Sequence, residues 1–531
     1  MPKLTIDGRE IECAPGTTVI RAARDAGVEI PHYCWHPGLT VAGNCRMCLV
    51  EVEKMPKLAI ACSTQAADGM IVSTANPRVT GARDAIMEFL LINHPLDCPI
   101  CDQAGECRLQ QYSYRYGAGE SRFVEEKTHK PKRVDIGPHI LLDSERCIVC
   151  TRCVRFCQEV SGTHELTVGD RGDRAIIETF PGRSLDNAYS GNTVDICPVG
   201  ALTLKEFRFR SRVWFLKDVP SVCAGCARGC SITVGAKDES VLRFVPRENP
   251  EVNAWWMCDA GRLSWKSLTA APRIPAPRAL GIAARPGWTA ALDAAAAKLA
   301  AVRTTGGAVA VLATPRATNE DLFAAALLAR DGLGGAPVYL PVHEEGADDA
   351  ILIRKDKSPN GRGAREILTA VCGRTPGTVA DLQAAIAAGQ VRGLVAMGHT
   401  MMGADGAAPL DAAALKRLDA VVVVDGFESP LAAAAHAVLP AQIHTETEGT
   451  VTNFKGQTQR VRAAVPPAAD ARPAWKSLVD LARRLGAAQE VPTGAPALFV
   501  ALAAAVPAFA GLDHAALGER GRMIQEAAGA P

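Results

Sequence analysis

Residues 147–157 read Cys-Ile-Val-Cys-Thr-Arg-Cys-Val-Arg-Phe-Cys, and the rest of the chain is organised around them. Three cysteines at two-residue gaps can place three thiolates on three neighbouring iron corners of a cube. The backbone N–H groups between them can turn toward inorganic sulfur, as in an anion-binding nest. That is how a chain holds a 4Fe–4S cluster. Two residues compete for the fourth position. Cys157 stands at the ferredoxin spacing of three, but in two-cluster ferredoxins the fourth cysteine of such a run ligates the other cluster. Cys197 stands in Cys-Pro-Val-Gly-Ala-Leu, where the proline turns the chain away. No second run of three lies between them. The expected ligands are therefore Cys147, Cys150, Cys153 and Cys197, with Cys157 a free, buried thiol.

Upstream, residues 3–12 alternate around Asp7-Gly8, a hairpin signal. Thr17 or Thr18 then caps a short helix that runs through Ala26 and ends at Gly27. Cys34, Cys45, Cys48 and Cys62 follow, with gaps of ten, two and thirteen. Hairpin, helix and a loop with Cys-x-x-Cys resemble a plant-type 2Fe–2S ferredoxin, whose first gap is about four. Gly43 is expected to let the backbone approach a cluster closely. Zinc also accepts four cysteines; the ferredoxin-like signal upstream favours iron–sulfur. Cys13, on the hairpin, reads as a small core residue.

Residues 83–93 form an amphipathic helical run with Ile86, Phe89 and Leu90 on one face. It stops at His94-Pro95, and Cys98, Cys101 and Cys107 follow. Three cysteines need a fourth ligand, and no spare cysteine lies nearby. Neutral imidazole can replace thiolate on iron, so His94 is expected to complete a 4Fe–4S set. The alternative is that His94 merely ends the helix and that Asp97 or Asp102 supplies the ligand.

Between Leu204 and the next cysteines stands Lys-Glu-Phe-Arg-Phe-Arg-Ser-Arg-Val-Trp-Phe. Interleaved arginines and aromatics can bind single-stranded nucleic acid. The balanced charge and the position between two cysteine motifs favour an amphipathic connector. Cys223, Cys226, Cys230 and Cys258 have gaps of two, three and twenty-seven. Zinc competes here, because Cys-x-x-Cys with a distant partner is common in zinc ribbons. Three other clusters in the chain favour 4Fe–4S. Four sets use fifteen of the 18 cysteines and His94, leaving Cys13, Cys157 and Cys372.

The chain has 531 residues, too many for a single core, so three or more domains are expected. Its 58 basic and 57 acidic residues leave a net charge of +1. That balance offers no footprint for nucleic acid or an anionic membrane surface. All cysteines but Cys372 precede residue 260. In a long chain that opens on a hairpin, with no signal-peptide or presequence pattern, this usage reads as metal rather than disulfide. The longest uncharged stretch, residues 491–512, is broken by prolines and reads as a packed helix, not a membrane span.

After residue 273 the composition turns alanine-rich. Apolar strands at 308–313, 391–397 and 418–424 alternate with helical runs at 320–330, 379–388 and 475–485, so a largely parallel α/β sheet is expected. No Gly-x-Gly-x-x-Gly follows a strand and no P-loop occurs. Residues 447–461 read as a hairpin turning at Lys455-Gly456, and Cys372 lies in an apolar helical run as a core residue.

The order of these motifs resembles the large iron–sulfur (G-type) subunit of bacterial NADH–quinone oxidoreductase, the proton-translocating respiratory complex I. The resemblance covers the whole chain, with its specific motifs between residues 30 and 260. The Glu-Gly-Thr…Asn…Gly…Gln stretch at 448–459 looks like the molybdopterin-oxidoreductase fold. The resemblance implies a multidomain α+β and α/β protein. Residues 1–80 would form a ferredoxin-like 2Fe–2S β-grasp domain, 81–135 a 4Fe–4S domain with one histidine and three cysteine ligands, and 136–216 a ferredoxin-like 4Fe–4S domain. Residues 217–272 would form a 4Fe–4S domain of molybdopterin-oxidoreductase type, and 273–531 a shortened molybdopterin-oxidoreductase-like α/β domain without a molybdenum site. The partners implied are an FMN-carrying chain that oxidises NADH, a small 2Fe–2S chain, a ferredoxin-like 4Fe–4S chain and other peripheral-arm subunits of complex I. The place implied is peripheral, on the cytoplasmic side of the bacterial inner membrane. By the same resemblance the Cys34 cluster accepts electrons, the Cys147 cluster relays them, the His94 cluster hands them on, and the Cys223 cluster lies off the main path. No catalytic residue is expected. The alternative is an electron-transfer subunit of an NAD-linked formate dehydrogenase or hydrogenase. A molybdenum ligand or the further cysteines of an iron-only hydrogenase would be needed, and only Cys372 remains in the second half.

Overall fold

The computed structural model describes residues 1–282, 286–398, 410–488, 490 and 492–526. The chain divides into two compact units, Met1–Leu216 and Lys217–Pro531.

In the first unit, strands Lys3–Ile6 and Arg9–Glu12 pair as an antiparallel hairpin. Asp7 and Gly8, at φ 47° and 80°, supply the two left-handed turn residues that a tight hairpin requires. Met70–Ser73 pairs parallel to Lys3–Ile6, and Leu49–Val52 and Ala59–Ile60 complete a five-stranded sheet. The helix Val19–Asp25 buries Val19, Ile20, Ala22 and Ala23, and Cys13 packs against the edge of the same core. Thr18 is the N-cap, but its side chain makes no capping hydrogen bond; the turn is held by the backbone, with Val19 N donating to Thr64 O at 2.9 Å.

The next helix, Pro77–Leu91, is capped by Asn76, whose side chain accepts from Val79 N. Its face differs from the one expected. The buried residues are Val79, Arg83 and Met87, whereas Phe89 is 76% exposed. The core stripe carries an arginine, which hides it from an apolar-period reading. Arg83 donates to Leu49 O at 3.0 Å and its guanidinium lies 5.4 Å from the centre of the Tyr116 ring. Residues 205–215 fold as turns ending in the 3-10 helix Val213–Phe215, with Phe207 buried and Phe209, Trp214 and Phe215 exposed.

The second unit opens with an antiparallel sheet of Lys217–Val222, Ser231–Lys237 and Ser240–Pro246. A six-stranded sheet follows. Val338–Tyr339, Ala308–Leu312, Val391–Met397, Ala420–Asp425 and Ala437–Pro440 run parallel, and Arg278–Ala279 closes the edge antiparallel. The near-continuous apolar runs suit strands covered on both faces. The helices Asn319–Leu327, Val379–Ala387 and Ala474–Arg484 stand within a few residues of the expected ones. The first is fixed by a capping box between Thr318 and Asp321. Gly449–Thr452 and Gln457–Val461 form the expected hairpin, with Gly456 at φ 95°. Of the stretch 491–512, residue 491 lies outside the described residues; the rest is the helix Ala495–Ala505, burying Leu498, Phe499 and Leu502, and the 3-10 helix Pro507–Phe509. Cys372 ends the helix Gly361–Cys372, half-buried at the edge of the core. No helix among the described residues is long and apolar enough to cross a membrane.

Candidate metal centres

The central C-x-x-C-x-x-C run is built on backbone bent against its residues' preference. Val149 and Thr151 take φ of 50° and 62°, a conformation rare for β-branched residues. The bend aims Val149 N at the Cys147 sulfur, 3.4 Å away. Helix Arg152–Glu159 then starts and presents Cys153. One cavity is lined by Cys147, Cys150, Cys153 and Cys197, with Ile148, Leu142, Ile177, Val199 and Leu202 filling its apolar walls. Cys157 is fully buried but does not line it. It lies one turn beyond Cys153 on the helix, and its carbonyl accepts from Thr163 N and His164 N at 2.9 and 3.1 Å. Burial pushes the thiols of Cys147 up to about 12 and Cys150 to about 11.

A second cavity is lined by His94, Cys98, Cys101 and Cys107, together with Asp97, Gln110, Arg146 and Gly200. Burial lowers His94 to about 4, which keeps the imidazole neutral with a free lone pair. Asp97 lines the cavity but is engaged by Lys132 at 2.6 Å and Arg146 at 2.9 Å. Asp102 does not line it and accepts from Phe209 N at 2.9 Å. The stretch 197–202 serves both cavities. Gly200 faces Cys101 so closely that a Cβ there would lie 2.2 Å from its sulfur, while Cys197 and Val199 line the other cavity. Cys98 is exposed, and a wide groove lined by Leu91, Leu96, Leu109, Tyr114 and Phe123 opens onto it and His94.

Cys34, Cys45, Cys48 and Cys62 meet as two pairs. A hydrogen bond between the Cys34 and Cys45 side chains lowers Cys34 and raises Cys45; Cys62 is lowered and Cys48 raised in the same way. Two pairs of thiols are what a two-iron rhomb requires, two per iron. Gly43 takes φ 65° and nothing lies within 4 Å of a Cβ there. The glycine serves the left-handed turn, and the space beside it is open on the protein side.

In the second unit, Cys223 follows strand Lys217–Val222, and its N–H donates to Cys230 O at 2.8 Å. Cys258 N-caps the helix Asp259–Leu263, accepting from Gly261 N at 3.4 Å. A Cβ on Gly261 would lie 2.9 Å from the Cys223 sulfur and 3.4 Å from that of Cys258, so those two thiols converge on one glycine. Cys226 acts electrostatically on Cys223, and Cys230 feels Cys223, Cys226 and Cys258.

Three residues at these sites carried no signal in the cysteine spacing: Arg146, Arg152 and Gly200. Arg146 Nη1 and Arg152 Nε are buried and donate to no protein atom, and each arginine lines a thiol-ringed cavity. Unmet buried donors are costly, and an anionic sulfide group would satisfy them. Among the described residues, no three His, Cys, Asp or Glu side chains converge on the point a single ion would occupy.

Five family profiles match in sequence. They are a 2Fe-2S iron-sulfur cluster binding domain at 2–77, the NADH-ubiquinone oxidoreductase-G iron-sulfur binding region at 83–122, and the NADH-quinone oxidoreductase subunit 3 ferredoxin-like domain at 137–203. The molybdopterin oxidoreductase Fe4S4 domain matches 216–269, and molybdopterin oxidoreductase matches 356–484. The G-type NADH-quinone oxidoreductase subunit of Rickettsia bellii is 45% identical over 305 residues, 57% of this chain and 44% of that protein. The chain is a relative of these G-type subunits. The one from Streptomyces coelicolor is 40% identical over 364 residues, 68% of this chain and 43% of its own. The mitochondrial NADH-ubiquinone oxidoreductase 78 kDa subunit of Neurospora crassa is 46% identical over 267 residues, 50% and 36%. The matched region spans less than half the length of each of these relatives. A chain of an NAD+-reducing [NiFe]-hydrogenase is 33% identical over 40% of this chain and 91% of its own, at a TM-score of 0.36, too low to bear on the fold. The expected fold class holds: a ferredoxin-like 2Fe–2S region, 4Fe–4S regions and a molybdopterin-oxidoreductase-like α/β region.

Proposed function

We propose that the chain is an electron-conducting subunit of an NADH–quinone oxidoreductase, standing between an FMN-carrying chain and quinone. Cys34, Cys45, Cys48 and Cys62 would hold one 2Fe–2S cluster. Three 4Fe–4S clusters would be held by His94 with Cys98, Cys101 and Cys107; by Cys147, Cys150, Cys153 and Cys197; and by Cys223, Cys226, Cys230 and Cys258. When bound, such clusters take up and release single electrons without proton or bond rearrangement of the chain. The observation that carries the reading is that two separate cavities each gather one full ligand set, with Cys197 included and Cys157 left out.

The chain's own residues contribute three things. Apolar walls exclude water from the Cys147 set. Backbone N–H groups of Val149, Gly225 and Gly261 each point at a thiol sulfur from 3.4 Å, which favours the added negative charge of reduction. Arg146 and Arg152 supply positive charge at two of the cavities. The exposed Cys98 and the groove beside it suit a face from which a ferredoxin-like partner chain draws electrons. The other partners in this reading are the FMN chain and a small 2Fe–2S chain. The complex would lie on the cytoplasmic side of the inner membrane. The five-part division at residues 80, 135, 216 and 272 belongs to the same proposal.

Metal analysis and low-temperature EPR of the anaerobically purified chain test it. About fourteen iron atoms per chain are expected. Stoichiometric zinc with iron short by about four would remove the Cys223 set from the reading.

A further inference from the structure

On the helix Arg152–Glu159, residues 152, 155 and 159 recur at spacings of three and four and so share one face. All three reach the loop that carries Cys34. Arg152 donates to the carbonyls of Trp35 and, at 2.9 Å, Ile196. Glu159 accepts from Thr40 N at 2.8 Å and from its hydroxyl. Arg155 does more. Its Nη1 donates to Thr40 O, its Nε to Thr151 Oγ1 at 3.3 Å, and its Nη2 to two carbonyls, those of Cys34 and, at 3.5 Å, Cys150. One guanidinium nitrogen therefore touches the backbone of a residue from each of two ligand sets.

Both arginines are buried, at 6% and 8% exposure. Burying a cation is expensive unless charge answers it. Among the described residues neither arginine pairs with a carboxylate. The groups beside Arg152 that would be negative as thiolates are Cys150, Cys197 and Cys34, and Arg155 acts on Cys34 and Cys150. With clusters bound, the answering charge would be that of the two thiolate sets.

We propose that Arg155, backed by Arg152, is a positioning residue shared by the Cys34 and Cys147 clusters, holding their ligand loops together and setting both potentials in common. This rests on the cluster assignment above. Reduction adds one electron and one negative charge to a cluster. A fixed cation in a low-dielectric interior favours that state and raises the potential. Because the cation is shared, its removal lowers both potentials at once. An arginine is required for this, since its planar fork reaches several acceptors from one position and a lysine ammonium is a point charge.

The test is a potentiometric EPR titration of Arg155→Gln and Arg155→Lys in the full chain, purified anaerobically, with iron content measured first and the His94 cluster as internal reference. In Arg155→Gln the midpoints of the 2Fe–2S and central 4Fe–4S signals both move negative, while the His94 midpoint stays. In Arg155→Lys both move the same way by less. A variant with full iron in which neither midpoint moves, or only one does, overturns the proposal. Should Arg155→Gln fail to assemble, the lysine variant decides by the same paired criterion. Wild-type chain lacking either signal would sink the cluster assignment and this proposal with it; wild-type chain showing both, with unmoved midpoints in the variants, would sink this proposal alone.

Discussion

Gly200→Ala should cost the chain its His94 cluster. The glycine does not take a left-handed φ, so alanine is acceptable to the backbone and the effect is purely steric. An added Cβ would stand 2.2 Å from the Cys101 sulfur, 3.1 Å from Gln103 Cβ and 3.7 Å from Arg146 Cδ. Comfortable contact needs about 3.5–4 Å, so something must give by more than about 1 Å. Metal–ligand distances tolerate only about 0.2 Å. If Cys101 rotates away, it leaves the cavity it shares with His94, Cys98 and Cys107. If the backbone moves instead, it carries Val199 and Ala201, which line the neighbouring cavity with Cys197. Overpacking of this kind costs about 1–3 kcal/mol, and each kcal/mol lowers the melting temperature of a unit this size by about 2–4 °C. The assay is iron content, EPR and thermal unfolding of wild type, Gly200→Ala and Gly81→Ala. Gly81 lies in the helix Pro77–Leu91 with nothing within 4 Å of a Cβ, and alanine there should be neutral or stabilising. Gly200→Ala should lose about four of about fourteen irons and keep the 2Fe–2S signal. Full iron, unchanged EPR and an unchanged melting temperature would refute the steric argument.

Other outcomes follow from the same geometry. Cys157→Ala should retain every cluster at a cost of about 1 kcal/mol for the lost packing, whereas Cys197→Ala should lose the central EPR signal; the reverse pattern would mean that the run has been misread. His94→Ala should lose the second cluster or leave a three-iron form, and His94→Cys should keep four irons with a shifted potential; EPR unchanged in His94→Ala would return the ligand role to Asp97 or another group. Burial raises Asp321 from 3.8 to about 6, and because its folded value is the higher one, the stability it lends is present below about pH 4 and lost as pH rises through about 6. The difference between wild type and Asp321→Asn in urea unfolding should therefore change by about 3 kcal/mol across that window; a pH-independent difference would count against a buried, neutral-preferring carboxyl.

Much of this protein was legible from residue order because its chemistry is local. Thiols two or three residues apart can turn to one side of a short loop, so Cys147, Cys150 and Cys153, which line one cavity, stand out as a set. Buried parallel strands must be apolar on both faces, so Val391–Met397 and Ala420–Asp425 stand out. Asp7-Gly8 marks a turn because few residues tolerate two left-handed positions. What remained hidden depends on segments far apart in sequence. The buried face of Pro77–Leu91 carries Arg83, whose burial makes sense only once Leu49 O and Tyr116 are beside it. Gly200 looks like any loop glycine until Cys101 is packed against it. Arg155 reads as a surface cation on a helix until its fork is seen on Thr40, Cys34 and Cys150. Spacing along a chain determines which groups can act together within one turn. Which distant carbonyls, cations and glycines close around those groups is decided by packing, because only the folded chain brings them within the few ångströms over which hydrogen bonds and steric contact operate.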